Sequence, residues 1–305
     1  MLNIVTVHWR SPKWIDPQLA YLERNLDVPY RVFASLNGID DRQLRDRFHF
    51  AADLEGSHAE KLNSLAERAI AQSDPGDKLV FLDGDAFPVR PVGRWMDEVL
   101  RTVPLAAVRR DENLGDIQPH PCFTFTTCGF WSELGGDWRE GGTWTSATGE
   151  ETTDVGGTLL HQLHAHGADW FPILRTNVHN PEPLCFGVYG HRVYHHGAGF
   201  RPPVTRVGAH ERRPSVSAGA AAWGPSLEGL ALRAVRRPSL LTSVRPSDLP
   251  RIGRAAQVSV GKQTRRWDER RRRRRLAATE RRQEAVYERL TRDPWFFTAF
   301  DDTAP

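Results

Sequence analysis

The hydrophobic pattern changes period repeatedly along the first two hundred residues. Leu2 to Val7 has the length and composition of a core strand. Ile15, Leu19, Leu22 and Leu26 follow at helical spacing, and Tyr30 to Leu36 alternates as a second strand that stops at Asn37-Gly38. Strand, helix and strand in that order predict a right-handed parallel crossover, which brings both strands' carboxyl ends to one sheet edge. Phe48 to Leu54 reads as a third strand. Ser57, with Glu60 three residues on, has the pattern of a capping box, and Leu62, Leu65, Ala66 and Ala69 form the buried stripe of the helix it opens. The apolar run Leu79 to Leu82 then ends abruptly at Asp83-Gly84-Asp85, which predicts two carboxylates at the carboxyl end of a buried strand.

Downstream, Gly93 to Val103 reads as a helix, Leu105 to Arg109 as a strand and Cys122 to Leu134 as an extended pair. The stretch from Asp137 to Thr152 has no period. Rich in Gly and Thr and carrying Trp138 and Trp144, it is expected to be a loop that covers or shapes a functional site, its tryptophans either stacking on a ligand or plugging the local core. Asp154 is placed as the N-cap of a helix through Leu159, Leu160 and Leu163. Trp170 to Leu174, Leu184 to Tyr189 and Val193-Tyr194 read as strands. The pattern divides the chain into an α/β unit over 1–205, a linker or loosely packed extension over 206–262 and an arginine-rich helix over 263–305. The linker is rich in Pro, Ser, Gly, Ala and Arg, and Arg-Pro-Ser recurs at Arg213, Arg237 and Arg245. Trp295, Phe296, Phe297 and Phe300 are expected to dock back on the core.

Charge alters this picture only locally. The net charge of +3 over 305 residues is modest, but arginines gather in the last third and run unbroken from Arg270 to Arg275. Such a run is a solvated helix face or a contact for an anionic membrane surface. No apolar run approaches the ~18 residues of a membrane-spanning helix. Met1 to Val7 lacks the flanks of a signal peptide, and Cys122, Cys128 and Cys185 are an odd set without CxxC spacing. The expected location is therefore cytoplasmic, with peripheral contact to the inner face of the membrane through the basic tail.

Candidate chemistry begins at Asp83 and Asp85, whose mutual repulsion calls for a cation and whose oxygens suit Mg²⁺ or Mn²⁺. Lys61 and Asn63 lie in the first two turns of their helix, where backbone donors and the dipole favour phosphate. The segment His195-His196-Gly197-Ala198-Gly199-Phe200-Arg201-Pro202 adds an imidazole for a metal and a guanidinium for phosphate oxygens beside a Gly-x-Gly. Either histidine could be the ligand, with preference for His196.

These motifs, in this order over roughly residues 1–205, resemble the metal-dependent nucleotide-sugar glycosyltransferases of the GT-A fold. The Asp-Gly-Asp matches their Asp-x-Asp, the segment from His58 matches the helix before that strand, and the His-Gly segment resembles that of glycogenin-like transferases, with Arg201 replacing a lysine. The resemblance implies a GT-A (Rossmann-like) α/β fold, a mixed sheet flanked by helices, and a hexosyltransferase-type enzyme. It would bind a divalent cation through Asp83, Asp85 and His196, and a nucleoside-diphosphate sugar through Trp9, Arg10, Asn37, Lys61, Asn63, Asp83 and Arg201. Asp154 or Glu151 would face the acceptor, an unidentified glycan, lipid-linked or small molecule; no nucleic-acid partner is expected. Two rival readings are a sugar nucleotidyltransferase, which would need a glycine-rich loop where His8 to Pro12 stands, and an anion- or nucleic-acid-binding protein using the basic tail, which leaves Asp-Gly-Asp without a role.

Overall fold

In the computed structural model the described residues are 1–111, 115–146, 149–177, 186–197, 199, 274, 277, 278, 280–293, 295 and 296. Arg201, the linker expected over 206–262, most of the arginine run, Cys185, Phe297 and Phe300 lie outside the described residues. In chain order the first elements are β1 (Leu2–Trp9), α1 (Ile15–Asn25), β2 (Tyr30–Asn37), α2 (Arg42–Arg45), β3 (Phe50–Ala52), α3 (His58–Ile70), β4 (Lys78–Asp83) and β5 (Ala86–Pro88). They are followed by α4 (Gly93–Leu100), β6 (Leu105–Val108), β7 (His120–Thr127), α5 (Cys128–Leu134), β8 (Trp144–Thr145), β9 (Glu151–Thr152), α6 (Gly157–Ala165), β10 (Trp170–Ile173), β11 (Gly187–Tyr189) and β12 (Val193–His195).

Seven strands form one mixed sheet in the order β10-β6-β7-β4-β1-β2-β3, the α/β architecture expected from the sequence. Strands β4, β1, β2 and β3 are mutually parallel, so Asp83, Trp9 and Asn37 arrive at one edge. Strand β7 runs antiparallel to β4 and pairs Phe123 with Leu82. Its amino end, His120, therefore reaches that same edge. Alternation along the strands splits the core into two layers. Leu2, Ile4, Val80 and Leu82 pack with Leu22 of α1 and Met96 of α4, while Val5, Val7, Leu79 and Phe81 pack with Leu62 and Leu65 of α3 and Leu159 of α6.

A second sheet, β11-β12-β5, stands beside the first and hangs from the residues that follow Asp85. The C-terminal helical residues 280–292 supply Val286 and Leu290 to the core of this region, with Phe296. Phe296 thus docks as expected, whereas Trp295 remains 67% exposed.

Two expectations change. The extended pair over Cys122–Leu134 is one strand and then helix α5, because the Thr127 hydroxyl accepts from the Phe130 N–H at 3.1 Å and starts a helix. The aperiodic stretch contains the small hairpin β8–β9, and Trp138 and Trp144 are buried, not stacking platforms on its surface. Trp138 meets Phe81 edge-on with ring centroids 5.0 Å apart. No helix among the described residues is long and apolar enough to cross a membrane.

The capping box forms as read: Glu60 N–H donates to Ser57 Oγ at 3.3 Å and Ser57 N–H to Glu60 Oε2 at 2.7 Å. Replacing Ser57 with Ala leaves one amide of the first turn without its acceptor. The expected cost is about 1 kcal/mol, seen as a lower urea midpoint at unchanged slope.

Candidate metal centre

One side chain fixes the turn after β4 from inside the protein. Gln18, fully buried on α1, donates from Nε2 to the carbonyls of Asp83 (2.8 Å) and Ala86 (2.9 Å). Its Oε1 accepts from Thr6 Oγ1 at 3.3 Å and lies 3.0 Å from His8 Nε2. With its amide bonded on both sides, the backbone over 83–86 is tied to β1 and α1, and the two aspartates sit at the sheet edge.

Strand pairing delivers the third group. β12 lies antiparallel to β5 with His195 opposite Ala86, so His195 Nε2 is 3.5 Å from Asp83 Oδ2 and 3.6 Å from Asp85 Oδ1. One ligand atom from each of Asp83, Asp85 and His195 lies within 4.8 Å of the others. The preference for His196 is corrected by the pleat, since successive strand residues point to opposite faces. His196 places Nδ1 2.6 Å from Tyr194 Oη and its ring 4.5 Å from that of Trp14. Burial, with the charges of His195 and Lys13, lowers the His196 pKa to about 3.

Two further imidazoles flank the carboxylates. His58, the first residue of α3, has Nε2 3.1 Å from Asp83 Oδ1. His120 lies with its ring 6.0 Å from that of His195 and accepts at Nδ1 from the Cys122 N–H, which leaves the proton of the neutral ring on Nε2. Burial alone would raise the Asp83 carboxyl, but the hydrogen bond and charge of His58, helped by His195 and His120, outweigh it and hold Asp83 below the usual carboxylate range. Burial likewise opposes a charge on His58, and the bond to Asp83 overcomes it, so its pKa rises. Asp85 behaves oppositely. Burial, offset in part by His195 and reinforced by the negative charge of Asp83, pushes its carboxyl up. A buried carboxylate pair of which one member resists ionisation fits a divalent cation, and two oxygens with one imidazole nitrogen form a suitable donor set.

The remaining predicted residues divide. Lys61 is buried, and its side chain has no hydrogen-bond or ion-pair partner among the described residues. Trp9 is 41% exposed and carries the Arg10 guanidinium 4.8 Å over its ring. Asn37 donates to Asp53 Oδ1 at 2.7 Å, and Gly38 N–H donates to Asp53 Oδ2 at 3.0 Å. Asn63 is not free for a ligand: it donates to Asp137 Oδ1 at 2.6 Å and accepts from Trp138 N–H at 3.1 Å, pinning the stretch after α5. Asp154 does not cap α6. Gly156 takes that place at φ 93°, where a Cβ would meet the Pro119 carbonyl oxygen at 2.1 Å. The Asp154 carboxylate instead accepts from Arg110 Nη2 at 3.3 Å, and Arg110 also holds Asp116 at 3.0 Å. Glu151 accepts from Thr145 Oγ1 across the β8–β9 hairpin.

Gln18, His120, Asp53 and Arg110 escaped the sequence reading. Gln18 sits at a core position of an amphipathic helix, where a polar residue is itself a signal; the others fall in loops or at strand ends with no motif around them.

No protein-family model matches the chain, and no curated protein matches it. Solved structures that resemble it include glycosyltransferases. Residues 1–349 of S. aureus TarS show 12% identity over 45% of this chain and 50% of that one, at a TM-score of 0.34. The mannosyltransferase PcManGT from Pyrobaculum calidifontis, in complex with GDP-Man and Mn²⁺, shows 14% identity over 56% of this chain and 54% of that one, at 0.37. GlyE of Streptococcus pneumoniae shows 15% identity over 43% and 35%, at 0.32. The chain thus spans about half the length of the first of these.

Buried histidines make the fold sensitive to acid. Burial, opposed by the bond with Gln18, lowers the His8 pKa to about 4, and that of His196 falls to about 3. In the unfolded chain each takes up a proton near pH 6.5. Their contribution is therefore complete above that pH and is lost as pH falls toward the folded values, on the order of 3 kcal/mol from His8 alone. Urea midpoints in EDTA should drop between pH 7 and pH 4.5, and a flat profile would contradict this assignment.

Proposed function

We propose that the chain is a metal-dependent glycosyltransferase of hexosyl type, moving a sugar from a nucleoside-diphosphate sugar to an acceptor hydroxyl. The observation that carries this reading is the approach of Asp83, Asp85 and His195 at the carboxyl end of β4, where open α/β sheets take their ligands. The mixed oxygen and nitrogen donors favour Mn²⁺ over Mg²⁺, which prefers oxygen ligands and octahedral geometry. When bound, the ion supplies Lewis-acid stabilisation of the diphosphate leaving group.

The chain's own residues supply the rest. The amino end of α3 is already closed by Ser57 and Glu60, so phosphate recognition falls to the ammonium of Lys61, unpaired among the described residues, and, outside them, to Arg201. Trp9, with Arg10 above its ring, offers a flat exposed face to the nucleotide base. Asp154, held by Arg110 and 46% exposed along its side chain, is the group assigned to take the acceptor proton, with Glu151 as the alternative.

The test is calorimetric titration of UDP and GDP into the full chain, with Mn²⁺ and again with EDTA. One nucleotide should bind with Mn²⁺ and fail to bind in EDTA. Asp85→Ala and His195→Ala should each weaken that binding by about 100-fold or more, and Lys61→Ala by about tenfold. A folded protein that binds neither nucleotide in either buffer, or an Asp85→Ala variant with full transfer activity, would sink the proposal.

A further inference from the structure

Gly199 occupies a slot in which no larger residue can stand. Its N–H donates to Asp85 Oδ2 at 2.8 Å, and its carbonyl accepts from Trp14 Nε1 at 3.1 Å. A Cβ at position 199 would lie 2.4 Å from that indole nitrogen and 2.6 and 2.7 Å from Cβ and Oδ2 of Asp85. A single residue's backbone therefore joins the indole to the carboxylate. Because Oδ2 is taken, Oδ1, 3.6 Å from His195 Nε2, is the oxygen turned to the centre.

Trp14 is seated in turn by the C-terminal helix. It is 1% exposed and shares its cluster with Val286, Leu290 and Phe296. Tyr287 meets its ring edge-on with centroids 5.0 Å apart and donates from Oη to the Lys13 carbonyl at 2.9 Å. Tyr21 Oη donates to the Leu290 carbonyl at 3.1 Å and fixes the helix along α1. These contacts join residues more than 260 positions apart in the chain and end on the Asp85 carboxylate.

We infer that the C-terminal helix is a working part of the metal centre: Tyr287 and Trp14 are positioning residues that, through Gly199, set the carboxylate of Asp85 for a divalent cation. The inference rests on the metal reading of the proposed function. Loss of the indole N–H frees the Gly199 carbonyl, loosens the N–H on Oδ2 and lets the carboxylate rotate out of its ligand orientation. Loss of the Tyr287 ring removes the contact that holds the indole in place.

The experiment is Mn²⁺ titration of the full chain, with free Mn²⁺ read by electron paramagnetic resonance and thermal midpoints recorded alongside. Wild type should bind Mn²⁺. Trp14→Phe, which keeps an aromatic ring but not the donor, should weaken binding about tenfold, and Tyr287→Ala about three- to tenfold. Tyr287→Phe keeps the ring edge and loses only the bond to the Lys13 carbonyl, so it should bind Mn²⁺ more tightly than Tyr287→Ala. The Trp14→Phe/Tyr287→Ala double variant should bind no more weakly than Trp14→Phe, because both changes act through one backbone unit. A helix with a merely structural role would lower the thermal midpoint and leave Mn²⁺ affinity unmoved. Should Trp14→Phe fail to fold, the Tyr287 pair decides by itself. Mn²⁺ binding that is equal in wild type and the folded variants overturns this inference alone. A wild type that binds no Mn²⁺ overturns the metal reading and the inference with it.

Discussion

Two carboxylates one residue apart, both withdrawn from water, repel each other and lose solvation together, and the arrangement of this protein around Asp83 and Asp85 follows from that constraint. Such a pair persists only where donors and positive charge surround it. The donors come from separate parts of the chain: His58 from the start of α3, His195 from the end of β12, and the N–H of Gly199 beyond it. The positions of these donors depend on strand direction. Parallel strands alone would bring only carboxyl ends to this edge. The antiparallel β7 adds its amino end with His120, and the antiparallel β12 lays His195 against Ala86. The antiparallel strand of the mixed sheet, the second sheet and the start of α3 thus bring imidazoles to the aspartates from several sides.

Much of this was legible in the sequence, and for physical reasons. The strand before Asp83 announces itself because it is buried on both faces and therefore unbroken in its apolar run. The α3 start was legible because a capping box is local chemistry between residues three apart. What stayed hidden depends on long-range register. Nothing in His195-His196 says which ring faces the carboxylates; pairing of β12 with β5 decides it, and a shift of one residue would exchange them. Asn63 has the place of a phosphate ligand on its helix, yet residues 137 and 138 consume both ends of its amide. Asp154 looks like a cap until the approach of the Pro119 carbonyl reserves the position for Gly156. Cys122 to Leu134 has enough apolar bulk for two strands, and one threonine hydroxyl turns the second into a helix.

The backbone carries one more sign of where this molecule spends stability. Among the described residues, two other than glycine have positive φ, Arg10 and His191, each at 56°. His191 follows Gly190, also at 56°, in the turn between β11 and β12 closed by Arg192 N–H to the Tyr189 carbonyl. A two-residue type I′ hairpin turn has positive φ at both central residues, as Gly190 and His191 do, so His191 is accounted for by the fold. No hairpin demands it of Arg10. A non-glycine residue held there costs roughly 1–3 kcal/mol and persists only where neighbours overdetermine it. Those neighbours are present: Arg10 N–H donates to the Asn37 carbonyl at 2.7 Å, and Asn37 and Gly38 are both held by Asp53. The two hydrogen bonds in turn keep the Asp53 carboxyl below its ordinary pKa. The result of this strain is a partly exposed tryptophan under a guanidinium, a surface that contributes little to packing. Strain maintained for an exposed aromatic face at the edge that also carries Asp83 fits the role proposed for that face, which is to meet a flat, anionic nucleotide beside the candidate metal site.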